Sequence, residues 1–397
     1  MCHRPIDGRR LLVGEYYSDR HETEWGGLDE WVALQMWRRC PYDWSGRVVS
    51  GPMAGSGLSI DVGRLARWLD EQGVAGVGES LAVERLGGGS QNELYALTRA
   101  GERTVLRMPP PSADAGRLDG LRRELRLLEA LRGTDVPHAG LVAGDATGDV
   151  LGMPFYLMKA VDGWSPTAGT WPAPFDTDLA ARRDLAFELV DGIAKLSRVD
   201  WASRGLVGFG RPENFHERQV DRWLAFLGAY RFRELPGLDE AADWLRANRP
   251  SRFTPGIMHG DYQFANVMFH HGAPARLAAI IDWEMTTIGD PLLDLGWALL
   301  GWDGDEPRTE GFYVDMSGMP RRAELLEHYE RVSGRSTEGI DYYLVLANWK
   351  LAVVLEKSYA RLAQGGPADP KVAMFGPLVL QLLETASTLA RRLSGAR

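Results

Sequence analysis

Two carboxylates and one carboxamide stand on two stretches of the chain that lie close in sequence, HGDYQFANVMF and IIDWE. Asp261 can accept a proton from a hydroxyl, whereas Asn266 and Asp282 can supply oxygen ligands to a hard cation. Mg²⁺ takes few protein oxygens and keeps its other coordination positions for water and phosphates. These residues therefore predict a base beside a magnesium site, on loops that apolar, strand-like runs border on each side.

A glycine-rich segment lies far upstream, between strand-like runs at residues 81–86 and 93–98. Its residues are Gly87, Gly88, Gly89, Ser90 and Gln91. Flexible backbone N–H groups can cradle phosphates, although most such turns are only hairpin tips. A dinucleotide fingerprint would require a helix after the glycines, and here a second strand follows. Together with the downstream loops, the segment predicts a hairpin that covers phosphates.

The elements that must position these residues divide the chain into three regions. Residues 1–55 form a Trp-rich extension with one candidate helix at 28–39. Residues 56–161 predict a nucleotide-binding lobe, in which a small antiparallel sheet carries a crossing helix at 118–131. Residues 162–397 predict a helical lobe that carries the catalytic residues and binds the acceptor, the molecule whose hydroxyl would give its proton to Asp261. Its candidate helices span 178–199, 215–229, 239–247, 291–300, 321–332, 340–362 and 371–392. A chain of 397 residues fits two such lobes.

Composition narrows the class of protein. The net charge of −9 argues against a general nucleic-acid binder, because such binding needs concentrated Lys and Arg. Cys2 and Cys40 are the only cysteines, which indicates a reducing compartment rather than a disulfide-stabilised fold. The sequence shows neither a signal peptide nor an apolar run that reaches spanning length. We expect a cytoplasmic protein without a membrane partner, as a monomer or homodimer.

The order of these features resembles the protein-kinase arrangement, and their specific forms resemble one family of small-molecule kinases. HGDYQFANVMF and IIDWEMTTIGDPLLDL are similar to motifs of the aminoglycoside phosphotransferase (choline kinase-like) family. VLRMPPP, GLVGFGRPENFHERQV and ANWKLAVVLE point to the branch whose kinase-like domain is associated with acyl-CoA dehydrogenases. The resemblance covers the chain from about residue 60 onward. It implies a bilobal α+β fold with a small antiparallel-sheet lobe and a mainly helical lobe, and it implies ATP and Mg²⁺ as cofactors.

The resemblance also implies roles for residues of the second lobe. Asp261 would be the catalytic base that orients and deprotonates the acceptor hydroxyl. Asn266 and Asp282 would hold Mg²⁺ across the ATP phosphates. His259 would brace the catalytic loop by hydrogen bonds rather than exchange protons.

In the first lobe, the resemblance implies a nucleotide site. Residues 87–91 would lie over the phosphates, and Arg107 stands where protein kinases place a Lys. Arg presents a planar fork instead of a point charge, yet it could still pair with phosphates and with Glu124. The connecting segment, formed by Met158, Lys159, Ala160 and Val161, would offer backbone groups to the adenine edge.

Each of these residues also has a structural interpretation. Asp and Asn readily form turns, and Arg107 and Glu124 could be ordinary surface charges. Asp290 is expected to cap the helix at 291, Asp294 could tether the catalytic loop, and Glu284 is expected to be structural. His270 and His271 resemble a metal pair only superficially, because adjacent side chains point apart. The acidic patch comprises Asp303, Asp305, Glu306 and Glu310, and a plain exposed loop is its favoured interpretation.

Three functions follow from these observations. The first is an ATP- and Mg²⁺-dependent phosphotransferase acting on a hydroxyl of a small molecule, either an aminoglycoside-like amine or a hydroxyacyl compound. The alternative is a nucleotide-binding pseudokinase with a regulatory or scaffold role. A metal-dependent hydrolase is disfavoured, because it would not require the glycine-rich hairpin and the connecting segment.

Overall fold

The computed structural model describes residues 60–86, 92–166, 171–309 and 312–395. The predicted Trp-rich extension at 1–55 lies outside the described residues, and so does the glycine-rich segment at 87–91. Glu310 of the predicted acidic patch also lies outside them. The expectations for these positions therefore stay predictions.

The N-terminal part is an antiparallel sheet with two helices. Helix α1 (Val62–Glu71) precedes strands β1 (Ala82–Leu86), β2 (Glu93–Arg99) and β3 (Glu102–Met108), helix α2 (Ala115–Leu131), and strands β4 (Leu141–Asp145) and β5 (Phe155–Lys159). The strand order is β1-β2-β3-β5-β4, and every neighbouring pair is antiparallel. Carboxylates cap both helices: Asp61 accepts from the N–H of Arg64, and Asp114 accepts from the N–H of Arg117, each at 2.9 Å.

The C-terminal part is mainly helical. Its helices are α3 (Leu179–Arg198), α4 (Phe215–Gly228), α5 (Leu238–Ala247), α6 (Leu292–Ala298), α7 (Arg322–Ser333), α8 (Ile340–Ala363) and α9 (Pro370–Gly395). Between α5 and α6 lie four short strands, β6 (Gly256–Met258), β7 (Val267–Phe269), β8 (Leu277–Ile280) and β9 (Thr287–Gly289). A two-residue pair follows α6, formed by β10 (Trp302–Asp303) and β11 (Glu306–Pro307). The α+β prediction is confirmed, with the antiparallel sheet in the N-terminal part.

Two clusters of buried apolar side chains form the cores. The smaller cluster joins α1 to the sheet, with Leu65 packed among Tyr95, Leu106 and Phe155. The larger cluster fills the helical part, and it also contains Leu121, Leu125, Leu127, Leu128 and Leu131 of α2. By its packing, α2 therefore belongs with the helical part, although it lies between two strands of the sheet in sequence.

Polar contacts strengthen that association. Arg123 on α2 donates to the carbonyls of Phe209 at 2.8 Å and Thr286 at 3.2 Å. Its guanidinium also lies 4.2 Å from the centre of the Phe209 ring. Arg126 donates to the Val207 carbonyl at 2.9 Å. Helix α2 is thus attached to loops of the helical part by charged side chains as well as by its apolar face.

Helix α9 departs from the sequence expectation for apolar runs. Among the described residues, Val372–Gly395 is long and apolar enough to cross a membrane by length and composition. The helix packs against α8 and α5, and 44% of its most apolar window is buried inside the protein. A helix that packs on a protein core passes the same test, so the expectation of no membrane partner stays a prediction.

Candidate active site

The four short strands hold the two predicted loops beside each other. Strand β6 pairs with β9, and β7 pairs with β8, both antiparallel. The first loop (residues 259–266) connects β6 to β7, and the second (residues 281–286) connects β8 to β9. The N–H of Ile281 donates to the carbonyl of Asn266 at 3.0 Å, which links the loops directly. The strand pairing thus brings the two loops together in space, whereas the sequence showed only that one follows the other along the chain.

Asp261 lies at the centre of the first loop and is fully buried, at 0% exposure. Its Oδ1 accepts from Gln263 Nε2 at 2.8 Å and from Trp297 Nε1 at 2.9 Å, and its Oδ2 accepts from Asn266 Nδ2 at 2.7 Å. Burial raises the pKa of Asp261 to about 7, although these hydrogen bonds and the charge of Lys350 favour its ionised form. The carboxylate is thus held in one orientation and poised to accept a proton near neutral pH.

His259 and Asp294 brace this loop. Asp294 on α6 accepts from the N–H of His259 at 2.5 Å and of Gly260 at 2.9 Å, which confirms that Asp294 tethers the loop. His259 contacts the second loop through its Nε2, 2.8 Å from the Ile281 carbonyl. Burial lowers the pKa of His259 to about 4, so its ring is neutral at neutral pH. Gly260 has φ of +88°, and a Cβ there would lie 2.5 Å from the Met285 carbonyl oxygen.

Replacing Asp294 by Ala is expected to lower the free energy of unfolding by about 2 to 5 kcal/mol, because two buried N–H groups would lose their acceptor. Urea denaturation measures the effect. Asp294→Asn is the matched control, because it keeps one acceptor oxygen and should cost less. Unchanged stability in Asp294→Ala would contradict the tether.

Asn266 and Asp282 are the two predicted cation ligands. Asn266 uses its Nδ2 for Asp261, with bonds to the Asp261 carbonyl at 2.8 Å and to Oδ2 at 2.7 Å. The amide geometry therefore turns the Asn266 oxygen, the atom that a cation would bind, away from Asp261. Asp282 is half-buried and adopts a left-handed conformation, with φ of 72°. A non-glycine residue in this conformation is uncommon and is often found at functional sites.

The charges around Asp282 fit a divalent cation. Burial raises the pKa of Asp282 well above its usual range, and the nearby carboxylates of Glu284, Glu124 and Asp261 raise it further, while Arg107 opposes them. A cation at Asp282 would relieve this repulsion. Within the described part of the chain, no group of three or more His, Cys, Asp or Glu side chains forms a complete metal site. A set of two protein ligands suits Mg²⁺, whose remaining ligands come from water and phosphates.

Arg107 and Glu124 meet across the boundary between the sheet and α2. Arg107 Nε lies 3.0 Å from Glu124 Oε2, and its Nη2 lies 3.7 Å from Glu284 Oε2. Tyr156 donates its hydroxyl to Glu124 at 2.7 Å, and the Asn92 amide, with its oxygen turned toward Arg107, accepts at 3.0 and 3.2 Å. The structure thus brings the predicted pair together. Glu284, which belongs to the second loop, lies beside this pair, so it connects the second loop to Arg107.

The connecting segment begins within β5, which lies between β3 and β4 in the sheet. The Lys159 N–H donates to the Gly140 carbonyl at 2.8 Å, and the Ala160 N–H donates to the Arg103 carbonyl at 3.4 Å. An adenine would therefore have to meet other backbone groups of Met158 to Val161. Its binding by this segment stays a prediction.

Asp290 has a wider role than the predicted cap. Its Oδ1 accepts from the N–H of Leu292 at 3.1 Å, where α6 begins, one residue later than predicted. Its Oδ2 lies 2.9 Å from His216 Nε2 and accepts from the hydroxyl of Tyr343. One carboxylate thus caps α6 and joins α4 to α8.

The sequence had not singled out four residues around Asp261. Gln263 and Trp297 donate to its carboxylate, and Tyr313 accepts from the Ala265 N–H at 3.1 Å through its hydroxyl. The Lys350 ammonium lies over the Trp297 ring. A lone Lys within the apolar run of α8 is the clearest signal that the sequence offered.

The model of the phosphotransferase enzyme family matches residues 82–334. Human acyl-CoA dehydrogenase family member 11 is 28% identical over 321 residues, which cover 79% of this chain and 40% of the relative. The chain thus spans 29% to 41% of the length of the curated acyl-CoA dehydrogenase relatives reported for it, and 40% of the human protein.

Solved structures share the fold. A protein from Ralstonia eutropha JMP134, provisionally described as an aminoglycoside phosphotransferase, is 29% identical, with a TM-score of 0.74 over 84% of this chain and 99% of its own. A spectinomycin phosphotransferase in complex with ADP and spectinomycin is 11% identical, with a TM-score of 0.52 over 83% and 98% of the two chains. The predicted bilobal kinase-like fold and the predicted resemblance are confirmed. The matched region covers more than half of the sequence, and the chain therefore belongs to the phosphotransferase enzyme family.

Proposed function

We propose that the protein transfers the γ-phosphoryl group of ATP, in an Mg²⁺-dependent reaction, to a hydroxyl of a small molecule. The geometry of Asp261 carries the proposal. A carboxylate offers about four lone-pair positions, and three hydrogen bonds occupy two on Oδ1 and one on Oδ2. The remaining position on Oδ2 can accept a hydroxyl. One oriented carboxylate is the group that phosphoryl transfer to an alcohol requires.

In the proposed reaction, a bond forms between the acceptor oxygen and the γ-phosphorus, and the bond from that phosphorus to the bridging oxygen of ADP breaks. The hydroxyl proton moves to Asp261 Oδ2. Mg²⁺ held by Asn266 and Asp282 would neutralise charge on the phosphates. Arg107, fixed by Glu124, would add a positive charge on the sheet side. Asp294 and His259 would keep the base in place throughout the transfer.

Catalysis is favoured over the pseudokinase alternative by the same set of contacts. A protein that only binds nucleotide has no chemical need for a base held by three donors beside two cation ligands. The fold neighbour that contains ADP and spectinomycin supports nucleotide use by this fold. Acyl-CoA dehydrogenase relatives favour a native acceptor other than an antibiotic.

A screen for ADP release tests the proposal. Purified protein is incubated with Mg²⁺-ATP and a panel of hydroxyl compounds that includes aminoglycosides and hydroxyacyl thioesters. We expect release that depends on one acceptor class and that stops when EDTA removes Mg²⁺. Binding of Mg²⁺-ATP without acceptor-dependent release from any compound would favour the pseudokinase.

Replacing Asp282 by Ala is expected to weaken Mg²⁺-ATP binding by about tenfold or more, because a carboxylate ligand is lost. Calorimetry at a fixed excess of Mg²⁺ measures the dissociation constant. Glu306→Ala removes an exposed carboxylate elsewhere and should leave the affinity unchanged. Equal affinities in the two variants would argue against the cation role of Asp282.

A further inference from the structure

Lys350 is a buried cation near the proposed base. It lies in the middle of α8 at 5% exposure, between the buried residues Trp349 and Leu351. Its ammonium nitrogen lies 5.1 Å from the centre of the Trp223 ring and 4.9 Å from that of Trp297. Within the described ranges, no carboxylate lies within ion-pair distance of the ammonium, and no hydrogen bond to it is found. The charges of Asp294 and Asp261 act on it from farther away, but they offset its burial only in part, and the pKa of Lys350 is lowered to about 8.

This environment leaves the charge under-compensated. Two aromatic faces contribute modestly to stabilising an ammonium, whereas moving an ion out of water carries a substantial free-energy cost. Buried charges in proteins are normally paired and hydrogen-bonded. The closest matched case on α8 is Lys357, which lies 5.1 Å from the centre of the Phe226 ring but is only half-buried. The burial of Lys350 thus calls for a partner that a ligand can supply.

The position of Lys350 connects it to the acceptor side of the site. Its ammonium packs on the Trp297 ring, and the Nε1 of that ring donates to Asp261 Oδ1 at 2.9 Å. Lys350 and the carboxylate that would receive the hydroxyl proton therefore contact the same indole. Gln263 donates to the same Oδ1, and its own Oε1 is buried without a hydrogen-bond donor among the described residues. Two buried polar groups next to the base thus have unused capacity, one as a donor and one as an acceptor.

We propose that Lys350 binds a negatively charged oxygen group on the acceptor, while the acceptor hydroxyl lies at Asp261. This inference rests on the proposed function and narrows its substrate class. The acceptor is a hydroxyl compound that carries a carboxylate or a phosphate, and Gln263 Oε1 accepts a hydrogen bond from a further hydroxyl or N–H group. An aminoglycoside-like polyamine fits poorly, because its ammonium groups would meet the Lys350 cation.

Within the predicted acidic patch, Asp305 does not offset this repulsion. Asp305 accepts from the N–H of Ala323 at 2.7 Å, at the start of α7, and its other oxygen lies 3.9 Å from Arg321. Its carboxylate is therefore engaged by α7 and its basic neighbour.

Four probes test the proposal on the full chain: 3-hydroxypropionate, glycerol 3-phosphate, propane-1,3-diol and 3-aminopropan-1-ol. Tryptophan fluorescence, to which Trp223 and Trp297 contribute, measures binding in the presence of Mg²⁺ and ADP, so that no turnover is needed. We expect the better anionic probe to bind about tenfold or more tightly than the diol and the amine. The comparison of the two anions distinguishes a carboxylate from a phosphate.

Lys350→Met keeps the length of the side chain without its charge. This variant should lose the preference for the anion, with the affinity for the diol unchanged within about twofold. Lys357→Met is the matched control and should keep the preference, and Lys350→Arg should retain part of it. Equal binding of all four probes, preference for the amine, undetectable anion binding, or an unchanged preference in Lys350→Met would each overturn the proposal. ADP binding is measured separately. Loss of ADP binding would count against the proposed function, whereas loss of the anion preference with ADP binding intact would count against the role of Lys350.

Discussion

Replacing Asp261 by Asn is expected to lower kcat by about 10²- to 10⁴-fold, with the affinity for Mg²⁺-ATP unchanged within about twofold. The amide cannot accept the proton that the carboxylate takes from the acceptor hydroxyl. It also presents an NH₂ group in place of one oxygen. If that group faces Asn266, two donors meet where a 2.7 Å bond now holds the loop. If it faces the other way, it meets Gln263 and Trp297.

The measurement is steady-state ADP release with a saturating acceptor, together with calorimetry of Mg²⁺-ATP binding. A melting curve controls for damage to the loop, because Asp261 is buried and either orientation of the amide costs stability. Gln263→Glu is a useful companion, since it adds a second carboxylate beside the base and removes one donor. Turnover by Asp261→Asn at the rate of the unmodified protein would remove Asp261 from its assigned role.

Replacing Arg107 by Met is expected to lower the free energy of unfolding by about 3 to 5 kcal/mol, which is typical of breaking a buried ion pair. Glu124 is 3% exposed and would lose its only ion-pair partner among the described residues. Tyr156 would still donate to it, but one neutral hydrogen bond does not replace a guanidinium. Binding of Mg²⁺-ATP should weaken as well, since the positive charge on the sheet side of the site is lost.

Denaturant unfolding measures the stability change, and Arg103→Met provides the matched control on the same strand. Arg103 is exposed, so its replacement should change stability by no more than about 0.5 kcal/mol. The stability of Arg107→Lys should lie between those of Arg107→Met and Arg103→Met. Lys keeps the charge, but it has no planar fork with which to contact Glu124, Glu284 and Asn92 together. Equal stabilities of Arg107→Met and Arg103→Met would contradict a structural role of the pair.

Short-range patterns in the sequence predicted much of the fold and of the proposed centre. Helix α8 was predicted from Ile340 to Leu362 and extends to Ala363, since a long apolar run has few alternatives to a buried helix. The tether by Asp294 was also anticipated, because a carboxylate in the first turn of a helix can reach neighbouring N–H groups.

Contacts that depend on tertiary packing could not be predicted from the sequence. Trp297 and Lys350 are 36 and 89 positions from Asp261 in the sequence. Trp297 reaches Asp261, and Lys350 reaches Trp297, only because of the way in which α6 and α8 are oriented in the folded chain. Short strands such as β6 and β9 have three residues each, too few for periodicity to separate them from loops. The glycine-rich hairpin and the Trp-rich extension lie outside the described residues and stay predictions.

The packing of α2 shows how the sheet is attached to the rest of the molecule. Helix α2 packs in the larger apolar core together with Leu141 and Tyr156 of the sheet, and Arg123 fixes it to distant carbonyls. The other buried residues of the sheet form the smaller core with α1. Arg107 on β3 and Glu124 on α2 form an ion pair between these parts. Any displacement of the sheet relative to α2 would therefore have to break this buried pair, which opposes such a displacement.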